Sequence, residues 1–179
     1  VRIFGFPSFL YFTLQRWQEL RKTNLQLNSE SLIFLGGGWK KNAQYEIDKS
    51  DFYRQIETCL GIPSARIRDG FGSVEHCIPY VECEKHHLHV PTWSRLLIRD
   101  PRSLTVLPYE AAGFLQMLSP YITSQPLQSV LMTDIAVLHA AGSDRCSVPT
   151  EWFEIRGRMG NRDGRSCALA ALDTVRGPQ

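Results

Sequence analysis

The chain has 179 residues, 43% of them hydrophobic and 21% charged, with a formal net charge of +2. That balance suits one substantial globular domain and excludes a weakly hydrophobic, highly charged chain that cannot bury a core. So small a charge gives no electrostatic footprint for nucleic acid or an anionic membrane surface, and no apolar run reaches the ~18 residues that read as a membrane span.

Val1 to Phe6 reads as a buried strand running into a turn, without a basic leader or a small-residue cleavage site. Because the first residue is Val, the chain is expected to be a fragment of something longer. Pro7 to Lys22 spaces Phe9, Leu10, Phe12, Leu14, Trp17 and Leu20 at near-helical intervals, and Pro7-Ser8 is a start signal. Leu25 to Leu27 is ambiguous. Ser31 to Leu35 is an apolar run ended by Gly36-Gly37-Gly38, which predicts a buried strand feeding a glycine loop. Asp48 to Leu60 predicts a capped helix: Phe52, Ile56 and Leu60 fall four apart, Asp48 is the cap, and Gly61 and Pro63 stop it. A short strand over Ala65 to Arg68 and a tight Asp69-Gly70-Phe71-Gly72 turn follow.

Beyond this point the periodicity becomes strand-like. Ile78 to Glu82, Ser94 to Arg99, Phe114 to Leu118, Ser129 to Met132 and Ile135 to His139 are short runs divided by Pro, Gly and Ser. Cys167 to Leu172 predicts a last strand. The division expected is an α/β part over residues 1–90, a β-rich subdomain over 91–156 and a tail or hinge segment over 157–179. Five cysteines in a chain of this size do not make a disulfide framework, so reduced thiols in a cytoplasmic setting are expected.

Three segments carry candidate chemistry. Gly36-Gly37-Gly38-Trp39-Lys40 follows a predicted strand; it either lets a backbone lie flat against a planar ligand, with Lys40 toward an anion, or is simply a turn that needs positive φ. Asp69 to His76 puts an aromatic, a glycine, a hydroxyl and a carboxylate on one short segment. An aromatic face stacks on a base, and a carboxylate holds magnesium against phosphate oxygens; a solvated polar turn is the alternative. Thr133-Asp134 is a hydroxyl and a carboxylate expected at a strand end, where open sheets bind ligands, or a turn cap. The cluster Cys77, Cys83, His86, His87, His89 and Cys146 raises the question of zinc. Its C-x5-C spacing is not that of a knuckle and no second tight pair follows, so a histidine-bearing loop is the favoured reading.

A glycine loop with Trp-Lys, then Phe-Gly-x-x-Glu, then Thr-Asp, then Gly157-Arg158 resembles the second half of the adenylate-forming ligases. Within them the order is most similar to the acyl-protein synthetase (LuxE-type) family and its phenylacetate-CoA ligase relatives. Ile3 to Ser8, Gly36 to Lys40, Cys83-Glu84 through His89-Val90-Pro91, and Ile98 to Pro101 carry that narrower resemblance. It implies an α/β fold, a partial acyl-CoA synthetase-like large domain with a strand–helix–strand part and a β-rich subdomain. It further implies ATP and Mg2+ as cofactors and a carboxylic, fatty acid as substrate. The expected chemistry is activation to an acyl-adenylate and transfer to a protein thiol, with an acyl-accepting reductase or carrier protein as partner and neither nucleic acid nor membrane.

By the same resemblance Gly37 and Gly38 would flank the adenine, with Phe71 stacked on its other face and Gly72 beside it. Glu75 would be the catalytic carboxylate and magnesium ligand, Asp134 would hold the ribose hydroxyls, and Arg158 would contact ribose or phosphate. Cys167 would accept the acyl group, its thiolate favoured by Arg162 and Arg165. Phe9 and Trp17 would line an acyl pocket or serve as core. The chain departs from the family pattern at Val74, where Thr is usual, and at Thr133-Asp134, shortened from Thr-Gly-Asp. The phosphate loop is expected upstream of Val1. An acyl- or aryl-CoA ligase, and a non-catalytic module that kept the fold, are the rival readings.

Overall fold

The computed structural model describes residues 1–159. Its first sheet has the order β1 (Arg2–Gly5), β2 (Leu32–Gly36), β3 (Ile67–Phe71) and β4 (Tyr80–Val81). The first three strands run parallel and β4 is antiparallel to β3. Parallel neighbours need crossovers, and α1 (Pro7–Arg21) and α2 (Lys49–Leu60) supply them.

Alternation along β2 sends Ile33 and Leu35 inward, where they meet Leu14 of α1 and Phe52, Tyr53, Ile56, Cys59 and Leu60 of α2. Each side chain so buried contributes roughly 1.5–3 kcal/mol. Helix α2 has the expected ends: Asp48 Oδ1 accepts the N–H of Ser50 at 2.8 Å, and Gly61 adopts the left-handed conformation. Helix α1 starts on Pro7 without a side-chain cap and closes on Lys22.

The second sheet is antiparallel, in the order β5 (Leu88–His89), β9 (Trp152–Arg158), β8 (Ser129–His139), β7 (Ala112–Leu118), β6 (Arg95–Arg99). Its inner face joins Leu96, Ile98, Leu115, Met117, Leu138 and Phe153 to Ile78 and Tyr80, so β4 lies between the two cores.

Several local expectations change. Thr133-Asp134 does not end a strand: pairing with β7 on one side and β9 on the other carries the chain through as one 11-residue strand, with register shifts near Ile135. Asp69, Gly70 and Phe71 belong to β3 rather than to a turn, because β2 and β4 hydrogen-bond both edges there, and residues 64–66 form a 3-10 turn instead of strand. Residues 40–45, left unassigned by periodicity, are 3-10 helical. Gly157-Arg158 ends the strand β9, which the Gly, Arg and Glu content of that stretch concealed. The strand expected over Cys167 to Leu172 lies outside the described residues.

Candidate active site

The C-terminal ends of β2 and β3 open on a cavity of about 640 Å³. Gly37 and Gly38 follow β2 with φ of 78° and 62°, a left-handed pair that a side chain would strain. Beside them β3, paired with β2 as far as Gly36 and Gly70, delivers Asp69, Gly70 and Phe71, and Gly72 follows. Strand β9 completes the wall with Trp152, Phe153, Glu154 and Ile155. Phe71 is half-buried and meets Phe153 edge to face, with ring centroids 5.8 Å apart.

A charged group, not expected from the sequence, forms another part of the wall. The Glu82 side chain is 2% exposed and bonds Lys49 Nζ. Its Oε2 accepts the N–H of Asp69 at 2.9 Å and the hydroxyl of Tyr53 at 3.3 Å, and it lies 3.4 Å from His86 Nδ1. Burial acts to raise the Glu82 carboxyl, but His86, Lys49 and the Asp69 amide together hold it below the usual range. Asp69, with fewer donors and Lys49 3.9 Å away, is raised by burial. Lys49, Asp69, Glu82 and His86 come from α2, β3 and the β4–β5 turn. Sequence reasoning had no means of grouping them, since ordinary helix-start, strand-end and turn positions carry no motif.

Glu75, Asp134 and Arg158 form a second group, outside the lining of this cavity. Arg158 Nη2 donates to Asp134 Oδ2 at 3.1 Å across the β8–β9 pair, and Asp134 is buried. Glu75 is exposed on the loop after Phe71. Its carboxylate is lowered chiefly by the Ser73 hydroxyl, with Arg158 adding a favourable charge. The described geometry thus brings Gly37, Gly38, Phe71 and Gly72 to one cavity and links Glu75, Asp134 and Arg158 by charge. Cys167, Arg162 and Arg165 lie outside the described residues. Phe9 and Trp17 line a separate apolar groove of about 370 Å³ along α1, with Phe9 63% exposed rather than in the core. Among the described residues no helix is long and apolar enough to cross a membrane.

Two curated relatives carry the description long-chain-fatty-acid–luciferin-component ligase. The Vibrio harveyi protein is 28% identical over 169 residues, which is 94% of this chain and 43% of that protein. The Aliivibrio fischeri protein is 26% identical over 176 residues, 97% of this chain and 45% of that protein. The chain therefore spans a little under half the length of these relatives. Among solved structures, an open conformation of 2-hydroxyisobutyryl-CoA ligase in complex with 2-HIB-AMP and CoA matches with a TM-score of 0.65 at 17% identity. That match covers 89% of this chain and 36% of the other. The fold is accordingly that of part of an adenylate-forming ligase. The family model for acyl-protein synthetase, LuxE, matches residues 1–175. The chain belongs to the LuxE acyl-protein synthetase family.

Proposed function

We propose that this chain forms the nucleotide-holding half of a ligase that activates a fatty acid with ATP and passes the acyl group to a protein thiol. The observation that carries the reading is that Gly37, Gly38, Phe71 and Gly72 line one cavity. Left-handed glycines would present bare backbone to one face of an adenine, with the Phe71 ring to stack on the other. Family membership and the ligase activity by which the two relatives are described support the same chemistry.

In the first half-reaction the substrate carboxylate attacks the α-phosphorus of ATP, and pyrophosphate leaves. In the second a thiolate attacks the acyl carbon, and AMP leaves with the phosphoanhydride oxygen. The chain's residues position these groups and balance their charge. Asp134, with Arg158 beside it, takes the ribose hydroxyls. Glu75 fits a magnesium ligand in kind, since it is exposed, held ionised by Ser73, and one carboxylate with waters and phosphate oxygens completes such an ion's shell. Magnesium, when bound, neutralises phosphate charge. Cys167 is the proposed acceptor thiol, with an acyl-accepting reductase or carrier protein downstream.

Pyrophosphate exchange by the full-length protein with a panel of fatty acids tests the first step. Labelled acyl-enzyme formation, with and without CoA, tests the second. Exchange together with CoA-independent labelling that Cys167→Ser abolishes is the expected result. Labelling unchanged in that variant removes Cys167 from the mechanism, and a product formed only with CoA assigns the chain to the CoA ligases. Failure to bind ATP with Mg2+ by calorimetry leaves a non-catalytic module.

A further inference from the structure

A group of metal-ligating side chains lies where the connection between β4 and β5 meets the long connection between β8 and β9. Cys83 follows β4 and His89 ends β5, while Asp144 and Cys146 come from the β8–β9 connection. One donor atom from each of the four lies within 4.8 Å of all the others. His89 Nε2 is 3.1 Å from Cys146 Sγ and 3.2 Å from Asp144 Oδ2. Tetrahedral zinc, with bonds of about 2.0–2.3 Å, needs donor separations of roughly 3.3–3.8 Å, so small side-chain adjustments close the set around one ion. Cys83 and His89 are buried, and the Asp144 side chain is fully shielded from solvent.

The surroundings are those of a built site. Each sulfur accepts an N–H from two residues onward, Lys85 to Cys83 at 3.3 Å and Val148 to Cys146 at 3.2 Å. Donors of this kind stabilise metal-bound thiolate. His89 is oriented through Nδ1 by Thr150 Oγ1 at 3.2 Å, which turns Nε2 toward the other three ligands, and His87 Nδ1 holds Asp144 at 2.9 Å. Outer partners of this sort fix ligand orientation in metal sites. The two connections are also stitched beside the cluster: Lys85 Nζ donates to the carbonyls of Asp144 and Arg145, and the Glu84 carboxylate accepts from Ser147 N and Oγ. A hydrogen-bonded catalytic relay would put thiol and carboxylate on opposite nitrogens of the imidazole. Here both converge on Nε2, which is what a shared cation requires.

We propose that Cys83, His89, Asp144 and Cys146 form a closed structural site for zinc. Two sulfurs and an imidazole select against magnesium and calcium, and four protein ligands leave no open position for a reacting water. The ion would pin the β4–β5 turn, and with it His86 and His87 in the cavity wall, to the second sheet. Cys77, whose Sγ bonds the carbonyl of Val74, and His86, bonded to Ser64, stand outside the set. Spacing alone points away from a site because Cys83 and Cys146 sit on separate connections and Asp144 carries no ligand motif in the sequence. The proposal does not depend on the nucleotide reading.

The test is elemental analysis of the full chain purified without added metal, followed by exchange into cobalt. About one zinc per chain is expected, and cobalt should give tetrahedral visible bands with a thiolate-to-metal charge-transfer band. Cys83→Ser and Cys146→Ser should lose the zinc and the charge-transfer intensity, while Cys59→Ser and Cys77→Ser keep both. Should the cysteine variants fail to fold, Asp144→Asn, nearly identical in shape, should weaken cobalt binding about tenfold or more. Absence of zinc together with no tetrahedral cobalt spectrum overturns the proposal. So does metal content indifferent to Cys83, Cys146 and Asp144.

Discussion

Phe71 meets Phe153 edge to face and also borders the cavity, so under the proposed nucleotide reading its ring would serve packing and ligand at once. Base–aromatic stacking is worth about 1–3 kcal/mol by alanine substitution. Phe71→Ala in the full-length protein should therefore weaken ATP binding about tenfold by calorimetry, whereas Phe71→Tyr retains most of it. Equal affinity in the alanine variant would take the ring out of the nucleotide site. Phe71 and the glycines Gly37 and Gly38 were legible in the sequence because backbone-limited positions and isolated aromatics beside glycine leave a local signature. Glu82, Lys49 and Asp69 were not, because their grouping depends on α2 and β3 lying side by side. Replacing Glu82 with Ala leaves Lys49, the hydroxyl of Tyr53 and the amide of Asp69 without their shared acceptor. The expected loss is about 2 kcal/mol, below the roughly 3–5 of a wholly buried pair because Lys49 keeps nearly half its side chain in water. Denaturant midpoints at neutral pH check it.

Among the elements, β7 runs close against β6 at Gly113. A Cβ at Gly113 would stand 2.4 Å from the Arg99 carbonyl oxygen and 2.9 Å from Ile98 Cγ2. Neither neighbour yields easily, one being backbone and the other a fully packed core side chain, so Gly113→Ala should cost about 3 kcal/mol, the upper end of ordinary overpacking. A thermal midpoint within a degree of the parent would mean that β7 shifts freely. The elements themselves were legible in unequal measure. Helices α1 and α2 carry their own start, stop and spacing, as Pro7, Asp48 and Gly61 illustrate. Strand β9 was hidden, since Glu154, Arg156 and Gly157 alternate with few apolar residues, and Phe153 with Ile155 alone mark its core side. The break that the sequence suggests within Ser129 to His139 follows from the polar Thr133-Asp134 pair. Ladder partners on both edges outweigh that local polarity.

At the scale of the whole molecule, the two sheets are joined through a chain of polar side chains inside the second core. His76 Nε2 lies 2.7 Å from the Tyr80 hydroxyl, Tyr80 lies 2.6 Å from Ser94 Oγ, and Ser94 donates to the Leu118 carbonyl at 3.1 Å. The chain thus runs from the loop after β3 through β4 to the β6–β7 edge. His76 is completely buried, and burial lowers its imidazole below the ordinary 6.5. The groups facing it, Tyr80 and Ser94, carry no charge at neutral pH, and burial raises the Tyr80 hydroxyl to about 12. A depressed histidine stays neutral in the folded chain while the unfolded chain binds a proton, so acidification favours unfolding. Stability should accordingly be constant above about pH 6.5 and fall as the pH drops below it, until the folded-state value is passed. His76→Phe keeps a flat ring stacked on Tyr80 and removes the proton site; Tyr80 retains Ser94 as partner. Urea midpoints from pH 8 to pH 5 should decline in the parent and run flatter in His76→Phe, the slopes differing by up to about 1.4 kcal/mol per pH unit. Parallel slopes in the two proteins would mean that His76 gains its proton without disturbing the junction between the sheets.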